Sequence, residues 1–164
     1  KYFFDFTFTI CYNFLLRKVI IMDENKLEKT LNITKKGKPA VWAYTNRYTS
    51  VKAARCGYSS AVCYPTGELT KVFLSLANYT KVKHLAKVTP DCLFIQSRVD
   101  IDGTLVEIFK TESIDIENKK VVFEKVATFK DGKWDNPEYL NSCKRAITSV
   151  KSRAKKYYNM IDMK

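Results

Sequence analysis

The chain has 164 residues and a net charge of +12. With 46% hydrophobic and 13% aromatic residues, it is too apolar for a disordered tail and long enough to bury a core as one domain. Only five glycines are present, none in the glycine-rich pattern that cradles nucleotide phosphates.

The charge is unevenly spread. Residues 1–34, 35–87, 88–132 and 133–164 carry +1, +9, −3 and +5 in turn. Basicity therefore sits in the middle third and near the end, as in proteins that present one cationic face to nucleic acid or another polyanion. Five cysteines without a CxxC pair and a single histidine, His84, argue against a zinc site; free, buried thiols in a reducing compartment are the expectation. No cofactor is implied, and the expected location is cytoplasmic, or nucleoid or nuclear if bound to nucleic acid.

Phe4, Phe6, Phe8 and Ile10 alternate with Asp5, Thr7 and Thr9, a strand period. Leu15 to Ile21 follow around Arg17 and Lys18, charges that interrupt a membrane span. Met22-Asp23-Glu24-Asn25-Lys26 reads as a translation start. Residues 1–21 are thus expected to be a translated leader or an extra edge strand, and residues 22–164 a single α+β domain.

Asp23 to Asn32 suits a short helix, with acids in its first turn and Leu27 and Leu31 on one face. A basic turn containing Lys36 and Lys38 leads into a strand from Ala40 to Tyr48. Alternation there puts Trp42 and Tyr44 on one side and Val41 and Ala43 on the other. Residues 49–55 are a loop with Lys52 and Arg55. A hairpin is expected over 57–64 and 69–76, turning at Pro65-Thr66-Gly67-Glu68. Asn78 to Val88 is expected to be a short helix holding Lys81, Lys83, His84 and Lys87.

Strands over 92–101 and 104–114 are joined at Asp102-Gly103, a strong hairpin signal. Asn118-Lys119-Lys120 turns into a strand over 121–130, and Asp131-Gly132-Lys133 leads to the last element. That element is a helix from Asn136 to about Ile161, opened by Asn-Pro. Leu140, Cys143, Ile147, Val150, Ala154 and Tyr157 form its apolar stripe. Lys144, Arg145, Lys151, Arg153, Lys155 and Lys156 occupy its other faces, with no acid between 144 and 156. The fold expected is α+β: a mostly antiparallel sheet of about six strands in two meanders, with the basic helix packed across one face.

Two stretches carry weak family resemblances. Asp100-Ile101-Asp102-Gly103-Thr104-Leu105 resembles the first motif of the haloacid dehalogenase-like phosphatases, in which Asp100 and Asp102 would be nucleophile and general acid. The residues downstream read as strands and a helix, too few for the domain that motif needs. Val41 to Asn46 resembles the opening of ribonuclease H-like folds. Asn46 stands where that resemblance requires a metal-binding aspartate, and residues 69–88 contain no acid for the helical glutamate.

What remains is basic and aromatic side chains interleaved. The expected function is non-catalytic binding of single-stranded or structured RNA or DNA, with low sequence specificity. The residues expected to contact it are Lys36, Lys38, Trp42, Tyr44, Arg47, Lys52, Arg55, Lys81, Lys83, Lys144, Arg145, Lys151 and Lys155. The rival is a small viral or mobile-element module whose basic face meets an acidic protein partner. A degenerate ribonuclease H-like or phosphatase-like enzyme is third, and no membrane partner is favoured.

Overall fold

A computed structural model describes residues 24–48, 56–66 and 81–159. The expectations for residues 1–21, the 49–55 loop, the turn at 67–68 and the strand at 69–76 lie outside them. The architecture is α+β; among the described residues every strand pairs antiparallel and one helix lies near the C-terminus.

In chain order the strands are β1 (Lys26–Thr30), β2 (Asn32–Ile33), β3 (Pro39–Tyr48), β4 (Cys56–Cys63) and β5 (Lys81–Lys87). They continue with β6 (Leu93–Asp100), β7 (Gly103–Asp115), β8 (Lys120–Lys130) and β9 (Lys133–Trp134), and the helix is α1 (Lys144–Asn159). The hydrogen-bonded path runs β1-β8-β7-β6-β4-β3-β2, with β5 on β3 and β9 on β8. Its two end strands are separated in the chain by Leu31 alone, whose N–H bonds to the Lys119 carbonyl at 2.9 Å. The sheet therefore curls back on itself.

Curvature sorts the apolar residues into two clusters. Phe94 of β6 and Phe123 of β8 stack with centroids 5.3 Å apart although β7 lies between their strands, which only a concave face allows. Leu31, Val41, Val62, Phe109 and Val121 belong to the same inner cluster. Ala61, Cys63, Ile95, Val106, Ile108 and Ala127 point to the other face and are covered by Cys143, Ala146, Ile147 and Val150. Fully burying each large aliphatic side chain contributes about 1.5–3 kcal/mol.

The sequence reading and the structure differ at several elements. Where a helix was expected over 23–32, the described residues form β1 and β2, because Leu27 and Leu31 are four apart and so fit a two-residue period as well as a helical one. Residues 81–87 form β5 rather than a helix; Val82, His84, Ala86 and Val88 alternate with Lys81, Lys83 and Lys87, and the strand pairs with β3 from Ala40↔Lys87 to Asn46↔Lys81. Asp131 and Gly132 have φ of 53° and 77° and form a two-residue turn into β9. With β1, β2, β5 and β9 the sheet has nine strands.

The expected hairpin at Asp102-Gly103 is present, with Asp100 paired to Gly103. The helix begins at Lys144 rather than Asn136. Asn136 accepts the Glu138 N–H at 3.1 Å and donates to the Val126 carbonyl at 3.0 Å. It thus starts a run of turns that pins the β9–α1 connection to β8. The expected apolar stripe holds, since Cys143, Ile147, Val150, Ala154 and Tyr157 are all buried.

The helix lies against β4 at Gly57. A Cβ there would overlap the Ala154 carbonyl oxygen and the Tyr158 backbone nitrogen, so glycine sets the approach. One residue pair further along, Arg153 Nε donates to Ser59 Oγ at 3.2 Å. Replacing Gly57 with Ala should push the helix off the sheet and cost about 3 kcal/mol. Urea unfolding measures this, and a loss below a few tenths of a kcal/mol would show that the close approach is not needed.

Candidate nucleic-acid interface

Helical geometry arranges the solvent side of α1. Lys144, Thr148, Lys151 and Lys155 recur at i, i+4, i+7 and i+11, and so do Arg145, Ser149, Ser152 and Lys156. Two rows therefore run side by side, cationic at both ends and lined by hydroxyls between. Lys144, Arg145, Lys155 and Lys156 are exposed; Lys151 is half-buried, with Nζ 4.4 Å from the centroid of Phe129. From Lys144 to Lys155 the axis advances about 16 Å, enough to meet several phosphates.

Four acids of the sheet are paired with cations. Lys26 pairs with Glu112, Lys120 with Glu28, Arg98 with Asp100 and Lys125 with Glu107. These pairs join β1, β6, β7 and β8. Among the described residues, Lys144, Arg145, Lys155 and Lys156 make no ion pair.

The remaining expected contacts that the structure describes belong to other elements. Lys36 and Lys38 are exposed in the turn before β3. Trp42 and Tyr44 are half-buried, neither an open platform nor full core. Tyr44 is tied to β4 through Ser60, whose Oγ accepts the Tyr44 N–H at 2.8 Å and donates to its carbonyl at 3.2 Å. The backbones of Arg47, Lys81 and Lys83 lie in β3 and β5, opposite Gly57, Asn46 and Tyr44 respectively. Lys52 and Arg55 lie outside the described residues.

The inner face holds polar groups that sequence reading missed. Tyr58 donates to Gln96 Oε1 at 2.8 Å, Gln96 donates to Glu107 Oε1 at 3.0 Å, and Lys125 donates to Glu107 Oε2 at 3.2 Å. Lys29 points inward from β1, its Nζ 4.8 Å from the Phe94 centroid and 5.4 Å from that of Tyr44. Burial lowers its pKa from 10.5. Period-two alternation through Leu27, Lys29 and Leu31 was the available signal.

The described thiols and aspartates have structural surroundings. Cys56, Cys63, Cys92 and Cys143 are free and buried, and desolvation pushes the Cys143 thiol up to about 12. Asp100 sits at the β6–β7 turn, where it accepts the Asp102 N–H at 2.9 Å and faces Arg98 at 3.3 Å. No three metal-ligating side chains converge among the described residues, and none of their helices is long and apolar enough to cross a membrane. Comparison with protein-family models, curated proteins and solved structures finds no match to this chain.

Two outcomes follow from these charges. Lys144 and Arg145 stand in the first turn of α1, where the helix dipole favours acids and none is present. Changing either to Glu should raise folding stability by about 0.5 kcal/mol in low salt; a fall in urea midpoint would contradict this. For Lys29, the unfolded side chain keeps its proton up to about 10.5 while the folded one releases it lower. Between those values the unfolded state binds more protons, so stability from this group rises with pH. Lys29→Met should therefore exceed wild type in stability at pH 8, and the gap should narrow towards pH 10.5. A gap independent of pH would show that burial does not penalise the charge.

Proposed function

We propose that the chain is a non-catalytic nucleic-acid-binding protein that grips phosphates through the solvent face of α1, with little base specificity. One observation carries the reading. The helix presents a row-by-row array of cations without ion-pair partners among the described residues, and between Lys144 and Asn159 it carries no acid of its own. Two of those cations stand at the helix N-terminus, where they oppose the dipole. A position that costs stability is supported by a role outside folding.

Lys and Arg side chains that meet phosphates release condensed counterions, so affinity falls with salt. Four to five contacts to a single strand give log K against log salt a slope of about −3. Titrating a fluorescent oligonucleotide at 50 and 200 mM salt should therefore show binding that weakens steeply. A Lys144→Glu, Lys155→Glu double variant should abolish most of it while remaining folded. No binding at low salt, or binding untouched by the double variant, would end the proposal.

A further inference from the structure

We infer that the flank of α1 facing β8 and β9 is a single-strand site, in which a base stacks on Trp134 while Lys144, Lys151 and Lys155 hold the adjoining phosphates. This rests on the nucleic-acid reading above and names its substrate class.

The site is built by the β8–β9 hairpin. Its two-residue turn, with positive φ at Asp131 and Gly132, places Phe129 opposite Trp134. The rings lie 5.3 Å apart at 50°, the tilted arrangement aromatic pairs favour. Lys151 reaches Phe129 from the helix, its Nζ 4.4 Å from the ring centroid. That contact fixes which row of the helix lines this flank: Lys144, Thr148, Lys151 and Lys155. Lys130 and Lys133, paired across the same hairpin beyond the rings, are both exposed.

Phe129 and Trp134 are half-buried. Both pack against the outer cluster, as do Val126, Tyr139 and Leu140, and neither is fully buried. A supported aromatic next to a line of cations is the arrangement that binds single strands: stacking is tolerant of sequence because every base has a π-face. A duplex offers no such face along its length, since its bases already stack on one another. Single strands should therefore be preferred over duplexes of the same length at equal salt.

The chain has two tryptophans, so a Trp42→Phe protein reports on Trp134 alone. Titrated at 50 mM salt with a dT oligonucleotide of about twelve nucleotides, and separately with that strand annealed to dA, it should show strong fluorescence quenching by the single strand and little by the duplex. Trp134→Leu should weaken single-strand binding about tenfold, with duplex affinity unchanged. Circular dichroism and thermal melting check that this variant folds; if it does not, the quenching in Trp42→Phe decides the matter by itself. Binding of both forms that Lys144→Glu, Lys155→Glu removes, without quenching or preference, would overturn the stacking site and leave the phosphate reading standing. Failure to bind either form would overturn both.

Discussion

The contact on which the outer half of the molecule depends is the approach of α1 to β4 at Gly57. Backbone meets backbone there, with no side chain between. The helix is thereby held low enough for Ile147 and Val150 to reach the outer cluster and for Arg153 to bond Ser59. Its rotation about its own axis is fixed by the same contacts. That rotation decides which residues face solvent, so a missing Cβ on a strand determines where the cations of the helix are displayed.

Charge is sorted by element. The sheet carries both signs and pairs some of them locally, on the surface through Lys26–Glu112 and Lys120–Glu28 and on the inner face through Lys125–Glu107. Exposed pairs of this kind contribute little to stability. The helix has no acid among its own residues. Cations displayed in this way can steer a polyanion before any contact forms.

Much of this was legible in the sequence where a pattern had one interpretation. The spacing from Cys143 to Tyr157 fits a helix and nothing else, and Asp102-Gly103 between alternating runs fits a hairpin. Leu27 and Leu31 were ambiguous because their interval is common to both periods, and pairing with β8, far away in the chain, decided it. Residues 81–87 contain lysines that suggested a solvated helix; the partner strand β3 overrode that preference. The Asp131-Gly132 turn was visible as a signal, but the strand after it is two residues long and reads as a lead-in. Of the candidate interface, the exposure of Lys144, Arg145 and Lys155 follows from the helical spacing, whereas the packing of Phe129 and Trp134 beside the helix depends on strand pairing that the sequence does not display.

The closure of the sheet through Leu31 bears on how the chain reaches this state. β1 pairs with β8, so the first described strand must wait for nearly the last before either has its full complement of hydrogen bonds. Contacts between such distant segments carry a large loop-closure cost that local structure cannot offset early. During synthesis β1 would leave the ribosome long before its partner exists, with an unpaired edge available to other chains. Slow, late zipping of β1 onto β8, with transient exposure of Leu27 and Leu31, is the kinetic signature this topology imposes.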